Sequence, residues 1–366
     1  MHGMVDALKT RGEEVIDFSI AISHFQAPAV VHEAVRHGLS LAALPYTAVG
    51  GDAGVRARLA AKVSAENRIP VTPAEIIVTN GAKQALYEAL YVMADPGDAV
   101  IIFKPHWPAY VATCKLLELE PVLVDLPAEI TGALLDSLPA AKIMIINNPH
   151  NPTGAVLSEV EIDRIAAWLK RTGTRAIVDE SYEKLIFDGR HISLAARADW
   201  RDIGIVSLYS ASQSYAMMGW RAGFAVAPAA LVTAMETLQG PITAAAPMLT
   251  QLALASAFET GEPLAMLADY RQRRDLVLDL VRELPWLSMR SPASGPYLWA
   301  DISPLTMDTE GFAEDLLAQR GVAVMPGDAL GAPGYIRIGY ISDDVATLRH
   351  GVLAIIAFGN QRYRGA

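Results

Sequence analysis

The chain has 366 residues, is 52% hydrophobic and carries a formal net charge of −10 at neutral pH. That length supports one large or two medium domains with substantial cores, and the acidic balance argues against nucleic acid or an anionic membrane surface as a partner. No apolar run reaches the roughly 18 to 20 residues a membrane span needs, and "MHGMVDALKTRGEEV" lacks the apolar core of a signal peptide, so a cytoplasmic protein is expected.

In chain order, "HEAVRH" places His32 and His37 five apart, not the four that would align them on one helical face, and no metal site is expected. From about Glu75 to Pro228 short β-branched runs alternate with helical patterns: "EIIVTN", "DAVIIF", "PVLVDL", "KIMIINN", "RAIVDE", "IGIVSLYS" and "RAGFAVAP" read as strands. Continuous apolar strands separated by helices predict a mostly parallel sheet covered on both faces, hence an α/β domain. "GAKQALYEALYVMA" has helical spacing, "SEVEIDRIAAWLKRTG" opens with a capping box of Ser158 and Glu161, and the single cysteine, Cys114, reads as helix core. Beyond Pro228 come longer helices ("LADYRQRRDLVLDLVRELP", "TEGFAEDLLAQRG"), strands in "GPYLWADI", "VAVMPG" and "YIRIGYI", and a last helix from about Asp343. The expected division is a large α/β domain over residues 40–245 and a smaller α+β domain built from residues 1–39 and 246–366.

In a sheet of this kind ligands bind beyond the carboxyl ends of the strands. "TNGAKQ" places a glycine before a helix start suited to phosphate, although plain turn chemistry gives the same pattern. In "NNPHNPTG" Asn151 stands between two prolines, either as a turn former or with its amide aimed at a ligand. "VDESYEKL" carries Asp179 and Tyr182 just past a strand, where a carboxylate can also serve as a helix cap. "SLYSASQSYAMMGWRAG" offers Ser210, Ser212 and Arg221, a set suited to a phosphate dianion. Arg337 interrupts the apolar "YIRIGYI", so it is either salt-bridged or holds an anionic ligand. A nucleotide-dependent dehydrogenase is excluded because "GAKQAL" is not its glycine fingerprint.

Together with "YTAVGGDAGVR", "KPHWPAY", "YRQRRD", "GPYLW" and "VMPGDALG", these segments stand in the order found in the fold-type I pyridoxal-phosphate enzymes. The chain resembles the class I/II aspartate aminotransferase-like family from about Asp17 to Gly359. The resemblance implies a seven-stranded, mostly parallel sheet in the large domain and pyridoxal 5′-phosphate, or its amine form pyridoxamine 5′-phosphate, as cofactor. Asp179 would then pair with the pyridine nitrogen, Asn151 and Tyr182 would bond the ring's phenolic oxygen, and Trp107 would stack on the ring. Gly81, Ala82 and Lys83 would cradle the phosphate opposite Ser210, Ser212 and Arg221. Arg337 would clamp the carboxylate of an amino-acid or keto-acid substrate, with Ala21 and Asn151 on the substrate side. Tyr46 would reach the phosphate site of a neighbouring subunit, implying a homodimer with shared active sites.

One position departs from the family. Gln213 stands where the family carries the Schiff-base lysine, eight residues before Arg221 as the motif requires. A glutamine amide is neither nucleophilic nor basic, though it donates and accepts hydrogen bonds. Three readings follow: an aminotransferase whose lysine was replaced, trapping a cofactor–substrate adduct; a natural lysine-free enzyme of specialised amino-acid biosynthesis (a cyclase, lyase or decarboxylase) with another base, for which Lys104 and His106 are candidates although solvated loop residues are the more ordinary reading of both; or a cofactor-binding pseudoenzyme. A second departure is "AISHF", Ala21 to Phe25, where relatives read like "GEPDF". Ile22 and His24 are expected to alter the wall of the cleft and to disfavour a plain dicarboxylate substrate.

Overall fold

The computed structural model describes residues 1–40, 44–261, 263–342 and 344–364. All seven apolar runs pair into one sheet, in the spatial order Ile76–Thr79, Gly223–Val226, Ile205–Ser210, Arg175–Asp179, Ile143–Asn147, Ala99–Lys104, Glu120–Asp125. Only Gly223–Val226 runs against its two neighbours. Alternate residues of each strand feed cores on opposite faces, as the two-residue period of a strand requires. Val78, Ile101, Met144, Val178 and Phe224 lie in one core, and Ile77, Ile102, Ile145, Ile177 and Ala225 in the other.

The helix Glu159–Thr172 begins with the expected capping box: Ser158 Oγ accepts from the Glu161 amide at 3.3 Å, and Glu161 accepts from the Ser158 amide at 2.9 Å. Cys114 is buried in the helix Pro108–Leu116. The helices Ala29–Ser40 and Met248–Phe258, assigned from sequence to the smaller unit, pack on each other and contribute Val31, Ala253 and Leu254 to the first of these cores.

A second body has its own core around Phe18, Tyr270, Trp286, Phe312 and Phe358. Its four-stranded antiparallel sheet runs Met325–Pro326, Tyr335–Gly339, Tyr297–Asp301, Ser288–Met289. The run "VAVMPG", expected as one strand, is two. Val322–Ala323 pairs in parallel with Ile16–Asp17, and the chain passes through buried Val324 so that Met325–Pro326 joins the other sheet. The last helix spans Val345–Tyr363 and is capped by Asp344, which accepts from the Thr347 amide at 2.9 Å; Asp343, the expected start, lies outside the described residues. No helix is long and apolar enough to cross a membrane among the described residues.

Candidate active site

The polar ends of the central strands meet in one place. Ser210 pairs with Gly223 across the antiparallel ladder, so residues 211–222 form a turn at the carboxyl edge of the sheet, carrying Gln213 and Arg221. A cavity of about 250 Å³ lies there, lined by Asp179, Asn151, Tyr182, Ser210, Ser212 and Arg221 together with Ala82, Lys83, Trp107 and Gln213. A larger cavity of about 650 Å³ shares Lys83, Trp107, Gln213, Met218 and Tyr297 with it and adds Ala21 and Arg337. Most of the side chains singled out in the sequence therefore face one connected space.

Asp179 ends the Arg175–Asp179 strand and is buried. Its carboxylate accepts from the Tyr110 hydroxyl at 2.7 Å and from the Ser181 amide at 3.0 Å. Loss of solvent raises its pKa above the usual carboxylate range, and these two donors partly oppose the rise. A buried carboxylate in this state is poised for a cationic partner.

Asn151 is held by its own backbone, whose amide donates to Asn147 Oδ1 at 2.7 Å. Its side chain donates to the Tyr182 hydroxyl at 3.2 Å and accepts from Arg337 Nη1 at 3.0 Å. Tyr182 sits in the same pocket, and burial drives its pKa well above the ordinary phenol value. Arg337 is buried in the Tyr335–Gly339 strand and has no carboxylate partner among the described residues. Its Nη2 donates to the Ser19 carbonyl at 2.9 Å, its guanidinium lies 4.0 Å from the centre of the Tyr297 ring, and Nε has no partner. A buried, unpaired cation with a free donor is a strong anion-binding feature.

Opposite, Gly81 adopts φ +80° immediately before the helix Ala82–Met93. A Cβ there would lie 2.6 Å from Arg221 Nη2, so the close approach of the guanidinium to the helix start requires glycine. Arg221 donates to the Met218 carbonyl at 2.9 Å, and Ser210 Oγ accepts from the Ser212 amide at 3.1 Å. Helix start, hydroxyls and guanidinium together offer the donor set a phosphate takes. Trp107 lies beside this space, edge-on to Tyr110 at 5.5 Å, with the Lys83 ammonium 5.1 Å from its ring centre.

Gln213 lies in the wall of both cavities. Its Nε2 donates to the Ala21 carbonyl at 3.1 Å, and its Oε1 is buried without a partner. Tyr46 stands apart, 95% exposed.

Three candidate contributors are elsewhere. Lys104 extends to Asp125 at 3.1 Å, because the two face each other on adjacent parallel strands. The His106 amide donates to the Leu330 carbonyl, and the ring is buried near Gly331 and His150, where desolvation lowers its pKa. Neither residue lines either cavity. Ile22 does line the larger one, but His24 turns the other way, hydrogen-bonded to the Ile341 carbonyl and packed on Phe25. Sequence reasoning missed Tyr110, Asn147, Tyr297 and Met218. Tyr110 and Tyr297 sit inside "KPHWPAY" and "GPYLW", segments whose motifs were visible while the inward direction of each ring was not.

Behind Asp179 lies a second polar cluster. Glu180, fully buried, accepts from the Ser193 hydroxyl at 2.6 Å and pairs with His191 at 2.8 Å, while Glu183 pairs with buried Lys62 and accepts from Asn67. Oxygens of Glu180 and Glu183 and a nitrogen of His191 lie within 4.8 Å of one another. Within this cluster the Lys62 ammonium already offsets the charge of Glu183.

Comparison with known proteins agrees with this geometry. A family profile described as aminotransferase class I and II matches residues 13–355. The arginine–pyruvate transaminase of Pseudomonas aeruginosa is 33% identical over 93% of this chain and 89% of its own. The aspartate/prephenate aminotransferase of Thermus thermophilus is 31% identical over 92% and 89%. Among solved structures, Thermus thermophilus aspartate aminotransferase with maleate superimposes with a TM-score of 0.91 at 29% identity, covering 98% of this chain and 95% of that one. A Pyrococcus protein, A1, reaches 0.92 at 27% identity, with the same coverage. The chain belongs to the class I and II aminotransferases, enzymes that depend on pyridoxal 5′-phosphate.

Proposed function

We propose that the protein binds an α-amino acid by its carboxylate beside pyridoxal phosphate and acts on the amino group, in a form whose Schiff-base position is filled by Gln213. The residues fit the cofactor: a buried carboxylate with a raised pKa, Asp179, and Arg221, whose guanidinium lies close against Gly81 at a helix start, both line the smaller cavity. Pyridoxal phosphate, when bound, supplies the electron sink that stabilises negative charge at the substrate's α-carbon. Asp179 would hold the protonated ring nitrogen, Asn151 and Tyr182 the phenolic oxygen, and Trp107 the ring face. Gly81, Ala82, Lys83, Ser210, Ser212 and Arg221 would hold the phosphate. Arg337 would orient the substrate carboxylate, with its guanidinium stacked on Tyr297 in the wall of the larger cavity.

The carrying observation is that Ala82, Lys83, Trp107, Asn151, Asp179, Tyr182, Ser210, Ser212 and Arg221 all line one cavity although residue 213 has no amine. A pocket released from its role would have lost more of them. This supports a lysine-replaced aminotransferase that retains cofactor and substrate without turning over. A second reading, a natural lysine-free enzyme, is favoured by one feature: Lys83 lines both cavities, so an amine is present in the space even though it is not at position 213.

The substrate side is apolar, with Ile20, Ile22, Leu116, Met325 and Leu330 in its wall, which supports an amino acid other than a plain dicarboxylate. The nearly bare Tyr46 ring is suited to an intersubunit contact, which supports the homodimer with shared active sites.

The Gln213→Lys variant tests the reading. With pyridoxal phosphate and a panel of amino acids it should convert amino acids to keto acids while the Gln213 protein does not. Turnover by the Gln213 protein alone would establish the lysine-free chemistry instead. Failure of both would remove the aminotransferase reading of this site.

A further inference from the structure

The helix Ala82–Met93 begins at Gly81, which has no side chain to offer its first amides, and no other side chain caps it. Its third residue, Gln84, holds the position from which a Glu or Gln ordinarily reaches back to the N-cap amide. Here it reaches one residue further. Gln84 Oε1 accepts from the Asn80 amide at 2.9 Å and from Asn80 Nδ2 at 2.7 Å. A backbone amide can only donate, so this contact turns the oxygen end of the Gln84 side chain toward Asn80 and the nitrogen end away.

The nitrogen end is held as well. Gln84 Nε2 donates to Glu88 Oε1 at 2.7 Å and to Gln239 Oε1 at 3.1 Å, with the Thr243 hydroxyl at 3.3 Å, so both of its hydrogens have acceptors inside the protein. Glu88 and Gln239 are buried, and Gln239 Nε2 donates in turn to the Val49 carbonyl at 2.6 Å and the Val78 carbonyl at 3.3 Å. Gln84 is therefore a strut between a buried network and the turn Asn80–Gly81. At that turn the Asn80 carbonyl accepts from Arg221 Nη2 at 3.4 Å, and Gly81 has the left-handed backbone against which the same guanidinium lies. Gln84 itself lines neither of the two cavities described above.

We propose that Gln84 is a positioning residue for the phosphate end of the site: it holds the Asn80–Gly81 turn so that the helix start and the Arg221 guanidinium converge on one dianion. The proposal rests on the reading of the smaller cavity as a pyridoxal phosphate site. Without the strut the Asn80 amide loses its acceptor, and the ligand must order the turn and Arg221 at the expense of its own affinity.

The test titrates the full chain, stripped of cofactor, with pyridoxal phosphate, with pyridoxal, which lacks the phosphate, and with inorganic phosphate as a competitor. Gln84→Met keeps the length and helix propensity of the side chain and removes its amide. It should weaken pyridoxal phosphate and inorganic phosphate about three- to tenfold and leave pyridoxal unchanged. Gln84→Glu keeps the acceptor for Asn80. At about pH 6, below the value of about 7 to which burial raises Glu88, that neighbour is protonated and can donate to it, so this variant should bind all three probes as the parent does. The phosphorus resonance of bound pyridoxal phosphate, a readout independent of affinity, should move in Gln84→Met and stay in place in Gln84→Glu. Equal weakening of all three probes by Gln84→Met would mean general loosening of the fold and overturns the inference. Unchanged phosphate binding or an unmoved resonance in Gln84→Met overturns it too, as does a Gln84→Glu protein that loses phosphate affinity to the same extent. If the parent chain binds neither pyridoxal phosphate nor inorganic phosphate, the cofactor assignment fails and the inference with it, whereas the other outcomes leave that assignment intact.

Discussion

Replacing Arg337 by lysine isolates the role of the guanidinium, because the charge remains and the fork is lost. In the structure Nη1 and Nη2 are engaged at 3.0 and 2.9 Å with Asn151 and Ser19, Nε is free, and the plane lies on Tyr297 at 4.0 Å. Each Nη carries a second hydrogen, so the planar fork can offer an arriving carboxylate two parallel bonds that an ammonium cannot reproduce. Loss of one charge-assisted hydrogen bond costs about 1.5–3 kcal/mol, which at about 1.4 kcal/mol per decade is a weakening of roughly 10- to 100-fold. The assay is calorimetric titration of cofactor-loaded protein with an amino acid and, in parallel, with the amine that lacks its carboxylate. Arg337→Lys should weaken the acid by that factor and leave the amine unchanged. Equal weakening of both ligands would mean that Arg337 only supports the wall, and unchanged affinity for the acid would refute the carboxylate clamp outright.

Three further outcomes are expected. Glu88 is buried with one oxygen unpartnered, and burial raises its pKa to about 7, so the neutral acid's contribution to stability is present below about pH 4.5 and is lost as pH rises to about 7. Glu88→Gln should accordingly match the parent in urea melts near pH 4.5 and exceed it by about 3 kcal/mol above pH 7, whereas a pH-independent difference would contradict this. Gly81→Ala should place a Cβ against Arg221 in a left-handed backbone and weaken cofactor binding at least about tenfold, measured by equilibrium dialysis; unchanged affinity would argue against a phosphate cradle here. Lys62→Met should destabilise the fold by about 3–5 kcal/mol by stranding Glu183, while the Lys62→Met/Glu183→Leu double variant recovers much of the loss; a double-variant loss equal to the sum of the two single losses would show that the pair is not coupled.

Six strands of the large sheet were legible as continuous apolar runs, the signature of a strand covered on both sides, and the edge strand Glu120–Asp125, which is not buried, by its short β-branched run. The polar residues that follow them stood out for the same reason, against an apolar background. Asp179, Asn151, Ser210 and Arg221 were readable in this way, and Arg337 as a charge within a strand. Directions of side chains in loops were not. Lys104 and His106 stand next to Trp107 in sequence, yet Lys104 follows the pairing of its strand toward Asp125 and His106 follows its backbone bond to Leu330. His24 follows Ile341 in the same manner. Tyr110 escaped notice because its partner, Asp179, lies far along the chain, and no local pattern announces a contact between a helix and the end of a distant strand. The division of "VAVMPG" between two sheets was hidden for a related reason, since its partners are the distant strands Ile16–Asp17 and Tyr335–Gly339.

The stretch from Asp179 to Glu183 serves two environments at once. Asp179, Ser181 and Tyr182 line the cavity, while Glu180 and Glu183 are tied into the buried ion and hydrogen-bond cluster with Lys62, Asn67, His191 and Ser193. The cluster works as a keel for the cavity-lining residues: it fixes their backbone before any ligand arrives, so little ordering remains to be done on binding. On the proposed reading of the site, damage to the keel should be felt as looser cofactor affinity, even though Lys62 and Asn67 do not line that cavity.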